Sequence, residues 1–183
     1  MGVGTMKSVF YSFLLVVSGM NAVLRVMLDT NIYGFIAVEK NPADILERIA
    51  TSNAVVCGST VIRGELRDTP KKKVVGRRKL RLRLLSSYDL LVSDKRNYDV
   101  NELIQKIAAE YNENYKGSSS WKELENDFLI VATASFHGLD LVVSEDEKTM
   151  KSAEAIKAYE KVNKKYELRN PEFIGFQAFK ESL

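Results

Sequence analysis

The chain is poor in the residues that carry the commonest metal and covalent chemistry. Among 183 residues there is one cysteine, Cys57, and one histidine, His137. A single cysteine excludes an internal disulfide framework and suits a reducing cytosol. Cys57 ends the strand-like run Ala54-Val55-Val56-Cys57, so it reads as a small core residue rather than a nucleophile. One histidine excludes a His-rich zinc site and leaves a Ser-His-Asp triad only that imidazole to build on. His137 precedes Gly138 at an expected helix C-terminus, where a positive or dipolar group complements the helix dipole. A metal in this protein is therefore expected to be held by oxygen, and carboxylate and water ligands favour Mg2+ or Mn2+. Three prolines and ten glycines exclude a low-complexity chain, and 45% hydrophobic with 28% charged residues is ordinary for a globular protein of one domain.

Long apolar runs are also scarce. Lys7 followed by Val9 to Val17 mimics a signal-peptide core, with Ser18 to Ala22 as its cleavage region. The run falls short of the roughly 20 apolar residues that span a bilayer. Read through to Leu28 it is interrupted by Ser18, Gly19, Asn21 and Arg25. Met20 and Met27 both stand close to the first credible strand, so the start at Met1, Met20 or Met27 stays open. Residues 1–21 are expected to be an extension, and residues 22–183 to form one domain.

Charge is uneven. Residues Arg63 to Arg83 hold ten Lys/Arg and two Asp/Glu, a net +8, which leaves −5 for the rest of a chain totalling +3. A mildly acidic body with one basic segment points to an anionic partner. From Leu24 onward, strand and helix signals alternate. Strands are expected at Val23 to Leu28, Ala54 to Cys57, Leu90 to Val92 and Leu139 to Val143, with a weak one at Tyr166 to Leu168. Helices are expected from near Ile32, at Pro42 to Thr51, from a Ser59 or Thr60 cap through Glu65, and from Pro70 to about Leu85. Further helices are expected at Val100 to Tyr115, Ser120 to Phe136 (with Glu123 completing a capping box), Met150 to Lys164, and from Gly175. This alternation implies an α/β fold with a central parallel sheet and helices on both faces.

Within that frame four acids recur in similar settings. Asp29 ends the first strand, Glu65 lies in the helix after the second, Asp127 lies early in the Ser120 helix, and Asp146 follows the Leu141 to Val143 run. Sites on open α/β sheets lie outside the carboxyl ends of the strands, so these acids converge on one edge. Clustered carboxylates raise one another's proton affinity unless a cation sits among them. A divalent ion resolves the repulsion, lowers the pKa of a bound water and neutralises charge on a scissile phosphate. Four acids, no histidine ligand set and a nearby basic segment therefore point to metal-assisted phosphodiester hydrolysis. Taken singly, each acid has a plainer explanation: Asp127 by helix dipole, Glu65 by an ion pair with Arg63 or Arg67. Lys71, Lys72, Lys73, Arg77 and Arg78, with Arg81 and Arg83 nearby, are expected on a helical arm that either tracks the phosphates of an anionic partner or is a solvated face. Trp121 reads as a packing anchor.

The same residues resemble a known family. Leu28-Asp29-Thr30-Asn31-Ile32 is similar to the opening motif of PIN-domain ribonucleases, and Ser59-Thr60-Val61-Ile62-Arg63-Gly64-Glu65-Leu66 to their second. Asn126 to Ala134 resembles the third, and Val142-Val143-Ser144-Glu145-Asp146 the fourth. The resemblance runs from about Leu24 to Phe173. It implies a three-layer α/β/α sandwich and a Mg2+- or Mn2+-dependent endoribonuclease. In it Asp29, Glu65, Asp127 and Asp146 are metal ligands or their supports, and Asn31 and Ser144 orient the acids. Many such proteins resemble the toxin half of VapBC toxin–antitoxin pairs, which implies a cytoplasmic homodimer, an RNA substrate, a small antitoxin partner and no membrane. Spacing leaves Glu145 as a replacement for, or assistant to, Asp146. The N-terminal extension and the added length leave room for a PIN protein that is not a toxin. Two other functions stand beside this one: a catalytically silent RNA-binding PIN protein, and a phosphatase, since Asp29-Thr30-Asn31 faintly resembles the nucleophile loop of haloacid dehalogenases.

Overall fold

A computed structural model of the protein describes residues 23–76 and 78–183. The expectations for the N-terminal stretch, its start codons and Arg77 lie outside the described residues. The main sheet has five strands in the order β5-β2-β1-β6-β7, and every pairing in it is parallel. They are β1 (Leu24–Leu28), β2 (Ala54–Ser59), β5 (Asn97–Tyr98), β6 (Leu141–Val143) and β7 (Glu172–Ile174). The chain fills the β2 side first and then returns across β1 to build β6 and β7. The strand order therefore reverses between β1 and β6, and the crevice there is the expected ligand position of a doubly wound sheet.

The helices follow from local signals. α1 (Thr30–Val38) starts at once after β1 because Asp29 ends the strand and caps the helix, its Oδ1 accepting from the Thr30 N–H at 2.6 Å. α2 (Pro42–Thr51) has proline in its first turn. α3 (Thr60–Asp68) is capped by Ser59, whose hydroxyl accepts from the Ile62 N–H at 3.3 Å. α5 (Glu102–Asn114) and α7 (Ala153–Lys165) are capped in the same way by Asn101 and Ser152. In α6 (Trp121–Phe136) the Glu123 carboxylate accepts from the Ser120 N–H at 2.7 Å, as a capping box requires. Helices α5, α6 and α7 pack on one another, and α1 packs on α2, α3 and α4 (Leu80–Leu91). A short α8 (Phe176–Ser182) closes the chain. Among the described residues no helix is long and apolar enough to cross a membrane.

Three expectations fail. Pro70 does not open a helix: Lys73 N–H bonds back to Pro70 O at 3.0 Å, and a hairpin of β3 (Val74–Val75) and β4 (Arg78–Lys79) follows. Gly76 occupies the left-handed region there (φ 61°), which suits glycine. Leu90 to Val92 is not a strand but the end of α4. Leu84, Ser87, Tyr88 and Leu91 are buried at helical spacing while Leu90 is 64% exposed, so the 3.6-residue stripe overrides the short apolar run. Tyr166 to Leu168 caps α7, with Glu167 in the left-handed region, and the last strand lies further on at β7.

Cys57 is buried in the core, as its strand setting implied. His137 does cap α6, but burial and the nearby Arg25 lower its pKa. The cation at that helix end is Arg25, which donates to His137 O at 2.7 Å, while the imidazole stacks on Tyr98 at 3.7 Å. Trp121 packs against Phe128 with ring centroids 6.4 Å apart. At the β2 edge Tyr88 lies over Gly58, its hydroxyl 2.6 Å from Asn97 Oδ1 and 3.1 Å from Ser59 O. A Cβ on Gly58 would stand 2.0 Å from that hydroxyl oxygen. Gly58→Ala is therefore expected to push Tyr88 out and cost about 1–3 kcal/mol. That is roughly 2–4 °C of Tm per kcal/mol in a domain of this size, readable by thermal unfolding. An unchanged Tm would contradict this packing.

Candidate active site

The carboxyl ends of β1 and β6 hold the centre of the site. Asp29 is 5% exposed, and its Oδ2 accepts from Asn31 Nδ2 at 2.5 Å and from the Ser144 hydroxyl at 2.7 Å. Ser144 follows β6 directly, and Asp29 N–H bonds to Val143 O at 2.9 Å, so the β1–β6 ladder sets this contact. The Ser144 hydroxyl also accepts from the Asp146 N–H at 3.0 Å, which ties the loop after β6 to the same point. Asn31 and Ser144 thus stand where the motifs implied, against Asp29.

Glu65 reaches the cleft from α3. Its two oxygens accept from the Thr30 hydroxyl at 2.5 Å and from Asn126 Nδ2 at 2.8 Å. The plainer alternative, an ion pair of Glu65 with Arg63 or Arg67, is not made among the described residues; Arg63 pairs with Asp89 at 3.2 Å. Asp127 comes from the first half of α6, and Asp146 from the loop after β6. The Thr149 hydroxyl lies 2.5 Å from Asp127 Oδ2 and 2.5 Å from Asp146 Oδ2. Asp146 Oδ1 also accepts from the N–H groups of Lys148 and Thr149, at 2.9 Å each. Glu145 points elsewhere: its Oε1 accepts from the Phe176 N–H at 2.5 Å, at the start of α8. Gly175 leaves room for it, since a Cβ there would lie 2.9 Å from that oxygen. The four expected acids therefore gather through Thr30, Asn126, Ser144 and Thr149, and Glu145 does not join them. Thr30 and Asn126 flank named acids inside the motifs, but nothing in a sequence alone marks them as donors to Glu65. Thr149, three residues after Asp146 in a tight turn, carried only that spacing as a signal.

The electrostatics are those of crowded acids. Burial pushes Asp29 up to about 6 against the hydrogen bonds from Ser144 and Thr30, and the charges of Glu65 and Asp146 add to the rise. Burial pushes Asp127 up to about 7 against its bond from Thr149, and Asp29, Asp146 and Glu65 raise it further. For Asp146 burial also acts upward. The Thr149 and Lys148 hydrogen bonds, with the Lys148 charge, outweigh it and leave the group below its ordinary value. The Thr149 hydroxyl has one hydrogen for two carboxylate oxygens, an arrangement that suits a proton retained on Asp127, the group that burial pushes up to about 7. Among the described residues no Lys or Arg pairs with any of the four acids. As they stand, no three or more His, Cys, Asp or Glu side chains among the described residues come together closely enough to hold a metal ion. The chemistry of the donor set nevertheless suits a hard divalent ion: it is all oxygen, excess in negative charge, and each of the four carboxylates keeps at least one lone pair beyond its hydrogen bonds. A separate groove of about 730 Å³ beside α3, lined by Arg63, Arg67, Asp89 and Asp94, contains none of the four acids.

The raised values set a sign. Asp127 holds its proton in the fold up to about pH 7, far above the usual 3.8. The metal-free fold therefore binds more protons than the unfolded chain between those values and loses stability as pH rises through them. Asp127→Asn is expected to stabilise the metal-free protein at pH 7.5 by roughly 1–3 kcal/mol, after allowance for partial exposure. The difference should narrow as pH falls toward 4. Parallel melts of the two proteins across that range check it, and a constant difference would contradict the crowding.

Comparison with known proteins agrees with the fold. The family model of the PIN domain matches residues 26–155. The fold is shared with the structure of VapBC2 from Rickettsia felis bound to a DNA fragment from their promoter, at TM-score 0.51 and 19% identity over 83% of this chain and 98% of that one. It is also shared with FitAcB from Neisseria gonorrhoeae, at TM-score 0.51 and 20% identity over 81% and 96%. FitAB bound to IR36 DNA is similar too, at TM-score 0.51 and 17% identity over 82% and 94%. No sequence among the curated proteins matches the chain. With the family match covering most of its length and a parallel sheet carrying acids at its switch point, the chain belongs to the PIN-domain family.

Proposed function

We propose that this protein is a Mg2+- or Mn2+-dependent endoribonuclease. The observation that carries the reading is the gathering of Asp29, Glu65, Asp127 and Asp146 in one cleft with no cationic partner among the described residues. A divalent ion bound there would supply a water of lowered pKa and neutralise charge on the scissile phosphate. The chain's own residues do the positioning. Asn31 and Ser144 hold Asp29, Thr30 and Asn126 hold Glu65, and the turn after Asp146 holds that carboxylate toward the cleft. The Asn31 amide donates to Asp29, where a phosphatase nucleophile loop would place a second acid, so a phosphatase fits less well. Retention of all four acids argues against a catalytically silent RNA-binding protein.

The substrate class rests on charge. Lys71, Lys72, Lys73, Arg78 and Lys79 are exposed on the turn and hairpin after α3. Arg81 and Arg83 instead serve the backbone, donating to Thr69 O at 2.7 Å and Val75 O at 3.4 Å. The hairpin is thus fastened down while Lys71, Lys72, Lys73, Arg78 and Lys79 face solvent, an arrangement suited to phosphates of a single strand. The similar solved structures are named as the complexes VapBC2, FitAB and FitAcB, which supports a small antitoxin protein as partner; a homodimer as the working unit is what the family resemblance implies. The lone buried cysteine fits a cytoplasmic setting.

Cleavage of RNA in the presence and absence of Mn2+ tests the activity. Asp29→Asn keeps shape and removes charge, and is expected to lower Mn2+-dependent cleavage by about 100-fold or more. Undiminished cleavage, or hydrolysis of p-nitrophenyl phosphate in its place, would overturn the assignment. Replacing Lys71, Lys72, Lys73, Arg78 and Lys79 with Gln should weaken RNA binding alike for all sequences. It should flatten the salt dependence by about 0.7 in log–log slope per lost contact, with cleavage at saturating RNA preserved. An unchanged slope would remove the hairpin from the RNA surface.

A further inference from the structure

The four acids are not held equally. Among the described residues Asp29 receives hydrogen bonds from the Thr30 N–H, the Asn31 amide and the Ser144 hydroxyl. Glu65 receives two, from Thr30 and Asn126. Asp146 is bound by the N–H groups of Lys148 and Thr149 as well as by the Thr149 hydroxyl. Asp127 has a single partner, the Thr149 hydroxyl at 2.5 Å. Its helix delivers the carboxylate to the cleft, and among the described residues no other hydrogen bond fixes which way the carboxylate turns.

Thr149 is itself well anchored. The Lys151 N–H bonds to Asp146 O at 2.9 Å, and Ser152 donates both its N–H, at 3.2 Å, and its hydroxyl, at 3.0 Å, to Thr149 O. Lys151 Nζ reaches Ser144 O at 3.1 Å and Glu147 at 2.5 Å, which staples the turn to the end of β6. A continuous chain of contacts then runs Asn31, Asp29, Ser144, Asp146, Thr149, Asp127. Thr149 is its last link, and it joins α6 to the loop after β6.

We infer that Thr149 is a positioning residue that sets the carboxylate of Asp127 beside that of Asp146 for a shared divalent ion. This rests on the proposed metal site. Groups that orient metal ligands typically contribute 10–100-fold in metal affinity, about the effect expected here. A side chain acting through another must lose its effect when that other is altered.

The test measures Mn2+ binding to the full chain by electron paramagnetic resonance titration, with Tm of the metal-free protein recorded alongside. Thr149→Val keeps the branched shape and removes the hydroxyl. It is expected to weaken Mn2+ binding by about 10–100-fold, and Thr149→Ser to restore it to within a few-fold of the wild type. In an Asp127→Asn background, Thr149→Val should add little further loss. Wild-type affinity in Thr149→Val, or a Ser variant as weak as the Val variant, overturns the inference while leaving the metal site standing. Full additivity with Asp127→Asn overturns it too, because Thr149 would then not act through Asp127. Failure of the wild type to bind Mn2+ overturns the metal site and this inference together. If Thr149→Val does not fold, Thr149→Ala against Thr149→Ser gives the same comparison.

Discussion

Mutual repulsion among carboxylates at one sheet edge is the constraint around which this protein is arranged. Asp29, Glu65, Asp127 and Asp146 come from four separate segments, and Asp29 and Asp127 are pushed up to about 6 and 7 by burial first and then by the charges of neighbouring acids in the set. A fold that tolerates this must hold the acids by neutral donors, and among the described residues it does so with hydroxyls, amides and backbone N–H groups rather than with Lys or Arg. Neutral donors orient a carboxylate without cancelling its charge. The cleft therefore stays negative, which is the condition under which a divalent cation binds.

The sheet topology makes the arrangement economical. Because the strand order reverses between β1 and β6, the residues just beyond those strands, Asp29 and Ser144, meet across the crevice with no helix between them. The same Asp29 ends a strand, caps a helix and occupies the cleft, so its position is set three times over. The core beneath is continuous, with Val26, Met27, Leu28, Val142 and Val143 all buried. Rigid packing of these strands transmits to the acids as fixed geometry.

Away from the cleft, the basic segment illustrates how one sequence stretch serves two purposes. Two of its arginines fasten the hairpin to its own backbone, and its exposed cations are left to solvent. Tyr88 locks the following helix against β2 and β5 through Gly58, so the hairpin rises from an anchored base. The acids and the cations remain on separate elements, and neither set neutralises the other among the described residues.

Much of the fold was legible from the chain, because strands ending on caps and helices with apolar stripes are local patterns. Pro42 to Thr51 is the clearest instance, where a first-turn proline and buried Ile45 and Ile49 agree with the observed helix. The basic segment misled because Leu80 to Leu91 carries leucines on several faces, and only packing on α1 and α3 selects the stripe that is buried. The last strand was misplaced because a three-residue strand takes its identity from pairing with β6 and has little periodicity of its own. For the candidate site, the sequence determined which acids end strands and open helices, since that depends on residues within a turn of each acid. The tertiary structure alone decided which oxygen faces which donor. Thr149 and Asp127 are 22 residues apart, and Asn126 and Glu65 are 61 apart. Contacts at such separations follow from how helices and loops close over the sheet, and no local pattern encodes them. The same closure turned Glu145 toward α8 and left Asp146 at the cleft.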